Sequence, residues 1–460
     1  MDNTGNFRGT ALFALVFAAS LTISAFAHAE SLIEALSSAY TNNASLNAAR
    51  AQLRATDEVV PQALSGYRPQ VNASADASVA VARSSSSGGW GSPTYPRGVG
   101  ITIEQPVFLG FRTVNSVKQA KNAVRAAREA LRGAEQDTLL AAVRAFMDVV
   151  QAQVVLNLKA QNVQFLREQG RAATDRLNVG EGTRTDVAQT NARLSAGQSD
   201  YNAAVAGVNS AMAVYEQIIG HRPKSLGAVN SIDAILPKSL AAALEIAGRE
   251  HPDIIAAQFN VEVARYNVAV LEGALLPSVT VTGSLSHRDD QTAPGTWSDS
   301  AALMGKLSVP LYNGGAEYSK VREAKETLEQ RLHELDAARA AVRQAVTTAW
   351  GTLEAAKAQV TAAQAQVQAE NLVLSGIQEE RKVGQRTTLD VLNAQQELLN
   401  AQVAQVQAQH DRVVAAFALL AAIGRLDAET LRLKVAIYDP MSHYRRVKDK
   451  WIGLRTPEGG

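Results

Sequence analysis

Two aspartates, Asp186 and Asp390, are the side chains whose type and spacing best suit a chemical role. Each lies six residues after a Val-Gly pair, Val179-Gly180 in the first case and Val383-Gly384 in the second. Aspartate is favoured at helix N-termini, where its carboxylate accepts backbone hydrogen bonds, and Asp186 with Gln189 has the spacing of a capping box. Alternatively, copies of one carboxylate that meet around an axis repel one another and attract a cation. Both roles are open at Asp390.

No other group of residues suggests catalysis or a bound cofactor. The histidines at 221, 251, 287, 333, 410 and 443 have no metal-ligand spacing, and no Gly-rich phosphate loop, nucleophile elbow or His-Glu-x-x-His motif occurs. The 460 residues include no cysteine, which excludes disulfides, thiolate metal sites and a cysteine-linked lipid. The net charge of +1 gives no electrostatic reason to expect nucleic acid as a partner. We therefore expect no enzyme, no cofactor and no metal site.

The two aspartates occupy equivalent points of an internal repeat. With a shift of 204 positions, Pro106 falls on Pro310 and Ile219-Gly220 falls on Ile423-Gly424 without a gap. A unit this long indicates duplication of one large structure rather than a solenoid. We predict repeats at 30–222 and 239–425, a linker at 223–238 and a final segment at 426–460.

Long helices dominate both repeats. Residues 112–177 contain no proline and are rich in strong helix formers, which predicts a helix on the order of 100 Å long, with its copy at 316–381. A heptad stripe from Leu328 to Leu374 indicates that the second long helix packs in a coiled coil. Shorter helices are predicted at 31–64, 186–219 and 390–423. Stacked end to end, the first two would match the length of one long helix.

The N-terminus has the composition of a secretory signal peptide, predicted at residues 1–29. A basic residue, Arg8, precedes an apolar run at Ala11–Ala27 and a small-x-small cleavage signal, Ala27-His28-Ala29. A transmembrane anchor is the alternative, although polar residues within the run weaken it.

Between the helices, period-two alternation predicts two β-hairpins. Apolar and polar residues alternate at Val71–Val81 and Val99–Ile103, which predicts a hairpin at 71–108, and a second hairpin is predicted at 278–311 with a connector at His287–Ser300. Strands of 9 to 11 residues with one apolar face are typical of an outer-membrane β-barrel, whereas the strands of a soluble sandwich are usually shorter.

Four strands cannot close into a barrel. In lipid an open sheet edge would leave backbone groups without hydrogen-bond partners, so the chain must share its barrel with other copies of itself. Phe108 and Tyr312 lie at equivalent strand ends, where an aromatic girdle would be found, with scattered surface aromatics as the alternative.

Taken together, these features resemble the TolC-like outer-membrane efflux and secretion channels. The resemblance covers nearly all of the mature chain and includes both turn sequences, Val179–Val187 and Val383–Leu392. It implies an α+β membrane protein of a Gram-negative outer membrane: a homotrimer with a twelve-stranded barrel, four strands per chain, above a twelve-helix periplasmic tunnel. It also implies a periplasmic adaptor protein and an inner-membrane pump or ABC transporter as partners. The function would be that of an exit duct for efflux or type I secretion.

The resemblance also implies roles for residues of the two turns. Thr185, Asp186 and Arg386 would belong to a network that closes the periplasmic end of the tunnel, and Asp390 to an acidic ring at the constriction. The sequence departs from the family at two positions, because Arg381 replaces a tyrosine of the network and Asn393 replaces a second acidic residue. The residues expected to contact the adaptor are Val179, Gly180, Val383 and Gly384.

The basic tail after Leu431 suggests a loosely ordered periplasmic extension. A binding segment for a partner or for the cell wall is the alternative. For the whole chain, a soluble periplasmic coiled-coil adaptor would explain the helices but would leave the amphipathic strands without a role.

Overall fold

The computed structural model describes residues 29–81, 83, 90, 92–227 and 232–457. The predicted signal peptide therefore lies, except for Ala29, outside the described residues.

The first repeat consists of short helices, a hairpin and a pair of long helices. In chain order its elements are α1 (Leu32–Asn42), α2 (Ala44–Asp57), α3 (Val59–Leu64), a 3₁₀ turn (Ser65–Tyr67), β1 (Gln70–Ala77), β2 (Arg97–Leu109), α4 (Arg112–Asn178) and α5 (Arg184–Ile219). The 67 residues of α4 make it about 100 Å long.

The second repeat follows the same plan with one difference. Its elements are α6 (Leu240–Glu250), α7 (Pro252–Gly273), β3 (Ser278–Asp289), β4 (Trp297–Ser308), α8 (Ala316–Lys382) and α9 (Thr388–Ala422), followed by the short helix α10 (Ser442–Val447) in the C-terminal tail. One continuous helix, α7, stands where the first repeat has α2 and α3. The helices α5 and α9 begin two residues before their predicted starts at 186 and 390, because threonine rather than aspartate occupies each N-cap.

The helix predicted at 31–64 is interrupted, which corrects the sequence interpretation. Asn43 has an extended backbone (ψ 124°) between α1 and α2, and its side chain accepts hydrogen bonds from the N–H groups of Ser45 and Leu46. His251 breaks the second repeat at the equivalent point, because Pro252 at the first position of α7 disfavours a helical conformation in the residue before it. Each repeat therefore stacks separate short helices beside its long one.

Aliphatic packing between helices forms one large core. It joins the inward faces of α1, α2 and α4 to α9, with Leu36, Phe146, Tyr215, Leu353 and Phe417 completely buried. From Leu328 onward, the buried residues of α8 lie on the predicted heptad stripe: Leu335, Val342, Val346, Leu353, Ala356, Val360 and Ala363. Among the described helices, α4 alone contains a window long and apolar enough to cross a membrane by composition, and 39% of that window is buried inside the protein.

The four strands form one antiparallel sheet in the order β1-β2-β3-β4. The central pair, β2 with β3, joins the two repeats, and β1 and β4 form the edges. The connector between β3 and β4 is shorter than the predicted range His287–Ser300. Both strands extend into that range, so that only residues 290–296 connect them. Polar cross-strand pairs extend the ladder there, with Ser286 Oγ 3.0 Å from Ser300 Oγ.

The C-terminal tail is folded against the helices, so the prediction of a loose extension is wrong up to Trp451. His443 of α10 is 5% exposed, and its Nδ1 lies 3.2 Å from Oδ2 of the completely buried Asp57. Val447 is also completely buried. Upstream of the tail, at the end of the second repeat, Arg425 forms a two-point ion pair with Glu250, with nitrogen–oxygen distances of 2.7 and 2.8 Å. The basic composition of the tail gave no indication of these buried contacts.

Candidate functional site

The sheet separates apolar and polar side chains onto opposite faces. In the strand register Val71, Ile103, Gly283 and Leu303 are neighbours across the sheet, and the next row on the same face is Ala73, Ile101, Leu285 and Ala301. The opposite face carries rows such as Asn72, Thr102, Ser284 and Ala302. The apolar side chains are exposed, with Leu303 at 81% and Val71 at 63%. One face of the sheet therefore presents aliphatic side chains that the chain itself does not cover.

A β-bulge maintains this separation at the end of β2. The register shifts between Pro106 and Phe108, so that Val107 is the extra residue and Phe108 pairs with Val279. Val279 pairs in turn with Leu307. The bulge thus places Phe108 on the apolar face, where regular alternation would have placed it on the polar one.

Aromatic rings lie at both ends of the apolar face. Phe108 is at the end nearest the helices and contacts Phe111 edge-on at 5.1 Å, and Trp297 is at the far end of β4. Leu307 and Trp297 are ten positions apart along β4, which corresponds to about 25 Å of height for strands tilted as in barrels. Tyr312, predicted to be the partner of Phe108 in a girdle, follows the end of β4 and is exposed.

Near the far end, the apolar face carries paired charges. His287 Nδ1 lies 2.6 Å from Asp299 Oδ1, and Arg97 Nε lies 3.2 Å from Asp289 Oδ2. These rows adjoin Trp297, so the aliphatic part of the face ends there.

At the opposite end of the molecule, the long helices reverse direction in two tight turns. Gly180 and Gly384 have φ values of +81° and +79°, a region that glycine adopts without strain. In the first turn the N–H groups of Glu181 and Gly182 donate to the carbonyl of Arg176, at 2.9 and 3.0 Å. Val179 and Val383, which precede the glycines, are about 70% exposed. Both turns therefore present an apolar side chain beside an unobstructed glycine.

Both aspartates complete capping boxes. The N–H of Asp390 donates to Oγ1 of Thr387 at 3.2 Å, while the carboxylate accepts from the N–H and hydroxyl of Thr387, both at 2.9 Å. Thr183 and Asp186 repeat the arrangement in the first turn. Asp186 is thus the third residue of its helix, and the predicted pairing with Gln189 is wrong. The two threonines are site residues that sequence interpretation missed, although Thr-x-x-Asp is a recognisable capping signal.

Asp390 is held in its charged form. The backbone N–H of Thr387, its hydroxyl and the nearby Arg386 together lower the pKa of the Asp390 carboxyl below its usual value. Arg386 donates from Nε to Glu380 Oε2 at 2.8 Å, a contact between the start of the turn and its end. The first turn has no equivalent, because Arg176 and Gly182 occupy the corresponding positions.

Polar contacts also join the two helical hairpins. Arg381 donates to Gln169 Oε1 of α4 at 2.9 Å, and Arg193 of α5 donates to Asn393 Oδ1 of α9 at 3.0 Å.

A polar cleft of about 850 Å³ lies between the turns, with Arg176, Asp186, Arg381 and Arg386 among its lining residues. The structure therefore brings Asp186, Arg381 and Arg386 to one cleft. Thr185 is exposed on the first turn, and Asp390 and Asn393 lie near the start of α9. Residue spacing in the sequence could not identify the contact partners Glu380, Gln169 and Arg193, since each contact depends on how the helices pack in the folded protein.

Comparison with known proteins decides the family. A model described as outer membrane efflux protein matches residues 35–221 and 243–425. The outer membrane efflux protein BepC of Brucella suis biovar 1 is 46% identical over 431 residues, which cover 94% of this chain and 93% of that protein. The chain belongs to the outer membrane efflux protein family.

More distant relatives of the efflux protein share its fold. The outer membrane protein TolC of Escherichia coli K12 is 24% identical over 451 residues, covering 95% of this chain and 90% of that protein. Among solved structures, the Campylobacter jejuni CmeC outer membrane channel has a TM-score of 0.79 at 19% identity, covering 91% of this chain and 89% of that chain. The predicted fold class and TolC-like resemblance are confirmed. The protein is an outer-membrane efflux channel component that extends into the periplasm, and its family is one of transport channels.

Among the described residues, no three His, Asp or Glu side chains are grouped so that they could hold a metal ion.

Proposed function

We propose that three copies of this chain assemble into one exit duct, a twelve-stranded barrel in the outer membrane that continues into a twelve-helix periplasmic tunnel. The observation that carries the proposal is a four-stranded sheet with one exposed apolar face, attached to helices about 100 Å long.

The sheet edges argue for closure by other copies. β1 and β4 each have a neighbour on one side only among the described strands. Within lipid, each unpaired backbone N–H or carbonyl costs several kcal/mol, so both edges need a partner. The strands alternate in direction, so β4 of one copy can continue the antiparallel ladder with β1 of the next. Twelve strands close such a barrel with an open interior, which the polar face would line.

The two turns are proposed to close the tunnel and to receive a periplasmic adaptor. Val179, Gly180, Val383 and Gly384 offer small exposed apolar surfaces at the extreme end of the molecule, where a helical hairpin of an adaptor can pack. Arg386 bound to Glu380 stiffens the second turn, and Arg381 bound to Gln169 holds the hairpins together. Breaking such contacts would free the helix ends to separate.

Transport energy would come from an inner-membrane pump or ABC transporter, since the chain offers no nucleotide-binding motif. The 46% identity to a protein named as an efflux protein favours expelled compounds as the cargo over secreted proteins.

Disulfide trapping tests the proposed assembly, because the chain has no native cysteine. Ala73→Cys in β1 would be combined, one at a time, with Ala301→Cys, Leu303→Cys and Gly305→Cys in β4, all on the same face as Ala73. Within one chain, β1 and β4 are three strand spacings apart, about 14 Å, which is too far for a disulfide. Oxidation in native membranes should therefore yield a covalent trimer for the position that lies opposite Ala73 of the next copy.

The matched control is Ala302→Cys, whose side chain projects from the opposite face of β4. It should cross-link far less than its neighbours. Absence of cross-links at every position, together with a monomeric mass without detergent, would contradict the proposal.

A further inference from the structure

The C-terminal tail ends in an exposed apolar segment, Trp451-Ile452-Gly453-Leu454, called here the tail tip. Trp451 is 66% exposed, Ile452 88% and Leu454 fully exposed. Three large apolar side chains in four residues, left uncovered by their own chain, are unusual for a segment surrounded by water.

The tail tip is attached to a firmly held helix. Val447 of α10 is completely buried, Tyr444 packs against the cluster that contains Val60, and the guanidinium of Arg128 lies 5.0 Å from the ring centre of Tyr444. The short contact between His443 and Asp57 adds a buried polar attachment. The position of the tail tip is therefore fixed by α10 rather than left to a free chain end.

Contacts with Arg68 place the tail tip level with the base of the sheet. Arg68 donates to the carbonyl of Lys450 at 2.9 Å, and its guanidinium lies 4.6 Å from the ring centre of Trp451. Arg68 is only two residues before Gln70, where β1 begins. At about 3.4 Å per residue, the start of the sheet at Gln70 is within about 7 Å of Arg68 along the chain.

Other exposed apolar side chains lie at this same level. Tyr67, beside Arg68, is 49% exposed, and Phe111, which follows β2, is 58% exposed. Gly66 lies against Thr113, so the turn before β1 adjoins the start of α4 just after β2. The tail tip thus extends an apolar belt at the helix end of the sheet.

The charge around the tail tip suits a phospholipid surface. Residues 441–457 contain five Lys or Arg and one Asp. The basic side chains Lys448, Lys450 and Arg455 flank the apolar residues, so their charges can reach phosphate groups while the apolar side chains enter the acyl region.

We propose that the tail tip is an interfacial anchor that inserts Trp451, Ile452 and Leu454 into the periplasmic leaflet of the outer membrane. Tryptophan is favoured at this depth, between headgroups and acyl chains. The chain has no cysteine to carry a lipid, so the tail tip supplies a peripheral attachment made of side chains alone. Lipid is the occupant that the position favours, because the apolar belt is continuous with the face of the sheet that the membrane covers. The inference rests on the sheet being embedded in the membrane, as proposed above.

Tryptophan quenching by brominated lipid tests the depth of the tail tip. The chain has four tryptophans, Trp90, Trp297, Trp350 and Trp451. Replacing any three by phenylalanine leaves a single reporter in the full-length protein. The variants would be reconstituted in vesicles of phosphatidylethanolamine and phosphatidylglycerol, with bromine at positions 6 and 7 of the acyl chain. Emission from the Trp451-only protein should be quenched by a fraction similar to that of the Trp297-only protein, whose reporter is in the sheet.

The matched control is the Trp350-only protein, since Trp350 lies in the middle of α8, roughly 50 Å from the sheet end of that helix. It should not be quenched by lipid. A second variant, Trp451→Ala with Ile452→Ser and Leu454→Ser, changes exposed side chains only and should fold normally. The detergent-solubilised variant would be mixed with liposomes at a detergent concentration too low for the barrel to insert. Under these conditions it should bind the liposomes less than the unaltered protein does.

Each outcome of the quenching measurement is decisive. Quenching of both Trp297 and Trp451 supports the anchor. Quenching of Trp297 alone overturns it but leaves the membrane sheet intact, and accessibility of Trp451 to aqueous acrylamide then shows whether water or a second copy of the chain covers the tail tip. If neither reporter is quenched, the sheet is not in lipid, and the proposed duct fails together with the anchor.

Discussion

The Asp390 carboxylate caps α9, and we propose that it also provides the charge of an acidic ring in the tunnel. Its hydrogen bonds to Thr387 satisfy free backbone groups at the start of α9, and its charge lies near the helix N-terminus, which favours an anion. The same interactions lower its pKa, so the side chain carries its charge at neutral pH. Structural capping therefore prepares the residue for an electrostatic role in the tunnel.

The cation preference of the duct is predicted to depend on Asp390. Asp390→Asn keeps a side-chain oxygen that can cap the helix but removes the charge, so the reversal potential in planar bilayers should shift toward that of an unselective pore. Asp186→Asn is the matched control, because it makes the same change in the equivalent capping box. An unchanged reversal potential in Asp390→Asn would exclude the ring.

The second turn is predicted to restrain opening through the ion pair of Arg386 with Glu380. Arg386→Ser removes the 2.8 Å contact and should raise single-channel conductance. Glu380→Gln should have the same direction of effect, since it weakens the pair from the other side. Lys382→Ser removes a neighbouring basic residue that pairs only within its own helix, with Glu379, and should leave conductance unchanged. Equal conductance in all three variants and the original protein would contradict the restraint.

Sequence reasoning singled out the aspartates and Arg386 of the turns but missed the residues that contact them. The aspartates were visible because they recur with the repeat, and Thr183 and Thr387 were recognisable from Thr-x-x-Asp spacing. Glu380 was not recognisable, because its contact with Arg386 exists only after the turn closes. Gln169 was hidden for a similar reason, since it belongs to the other helical hairpin.

At the scale of elements, the repeat allowed the long helices and the strands to be placed within a few residues. Hydrophobic periodicity did not predict the positions where a single residue interrupts a helix. The Pro252 signal for the break at His251 was present in the sequence, whereas Asn43 breaks the first repeat without a proline and so could be recognised only by comparison with the second. The prediction for the tail was wrong for another reason. The charge pattern of the tail gives no indication that His443 and Asp57 meet in the interior.

The docking of the tail is predicted to depend on His443. His443→Ala leaves the buried Asp57 carboxylate without this contact, and burial already raises the pKa of that carboxyl. Tryptic cleavage at Arg446 and Lys448 should become about tenfold faster, which corresponds to a loss of about 1.4 kcal/mol in docking. Limited proteolysis followed by mass spectrometry measures the rate.

His333→Ala is the control for this measurement, since it changes an exposed histidine of α8. Its cleavage rate in the tail should equal that of the unaltered protein. Equal rates for His443→Ala as well would show that the tail is held by Val447 and the aromatic contacts alone.

For the whole molecule, the arrangement of copies decides how Asp390 titrates. In a single chain, its hydrogen bonds to Thr387 lower the pKa of the Asp390 carboxyl below its usual value, so its capping contribution is present above the usual pKa and is lost as the pH falls through the lowered pKa. Three carboxylates held close around an axis raise one another's pKa by repulsion. The pH at which selectivity disappears therefore reports how near the three copies approach.

Cation selectivity is predicted to fall on acidification, because protons neutralise the Asp390 carboxylates, and repulsion across the ring should move the midpoint to a higher pH than the hydrogen bonds from Thr387 alone would give. Reversal potentials recorded from pH 7 downward give the midpoint, and Asp390→Asn should show no such transition. Selectivity that does not change as the pH falls would mean that the carboxylates act only as helix caps.

The pairing of β2 with β3 constrains the order in which the protein matures. Leu109 pairs with Ser278, so the centre of the sheet unites segments that are separated by the whole of α4 to α7. Closing so large a loop is slow compared with the growth of a local helix. During export, β2 of the first hairpin consequently cannot pair with β3 until more than half of the chain has crossed the inner membrane. Until then the aliphatic face of the first hairpin remains exposed. Escort by a holding chaperone during that interval would prevent premature aggregation, and the final step of biogenesis would be simultaneous closure and insertion.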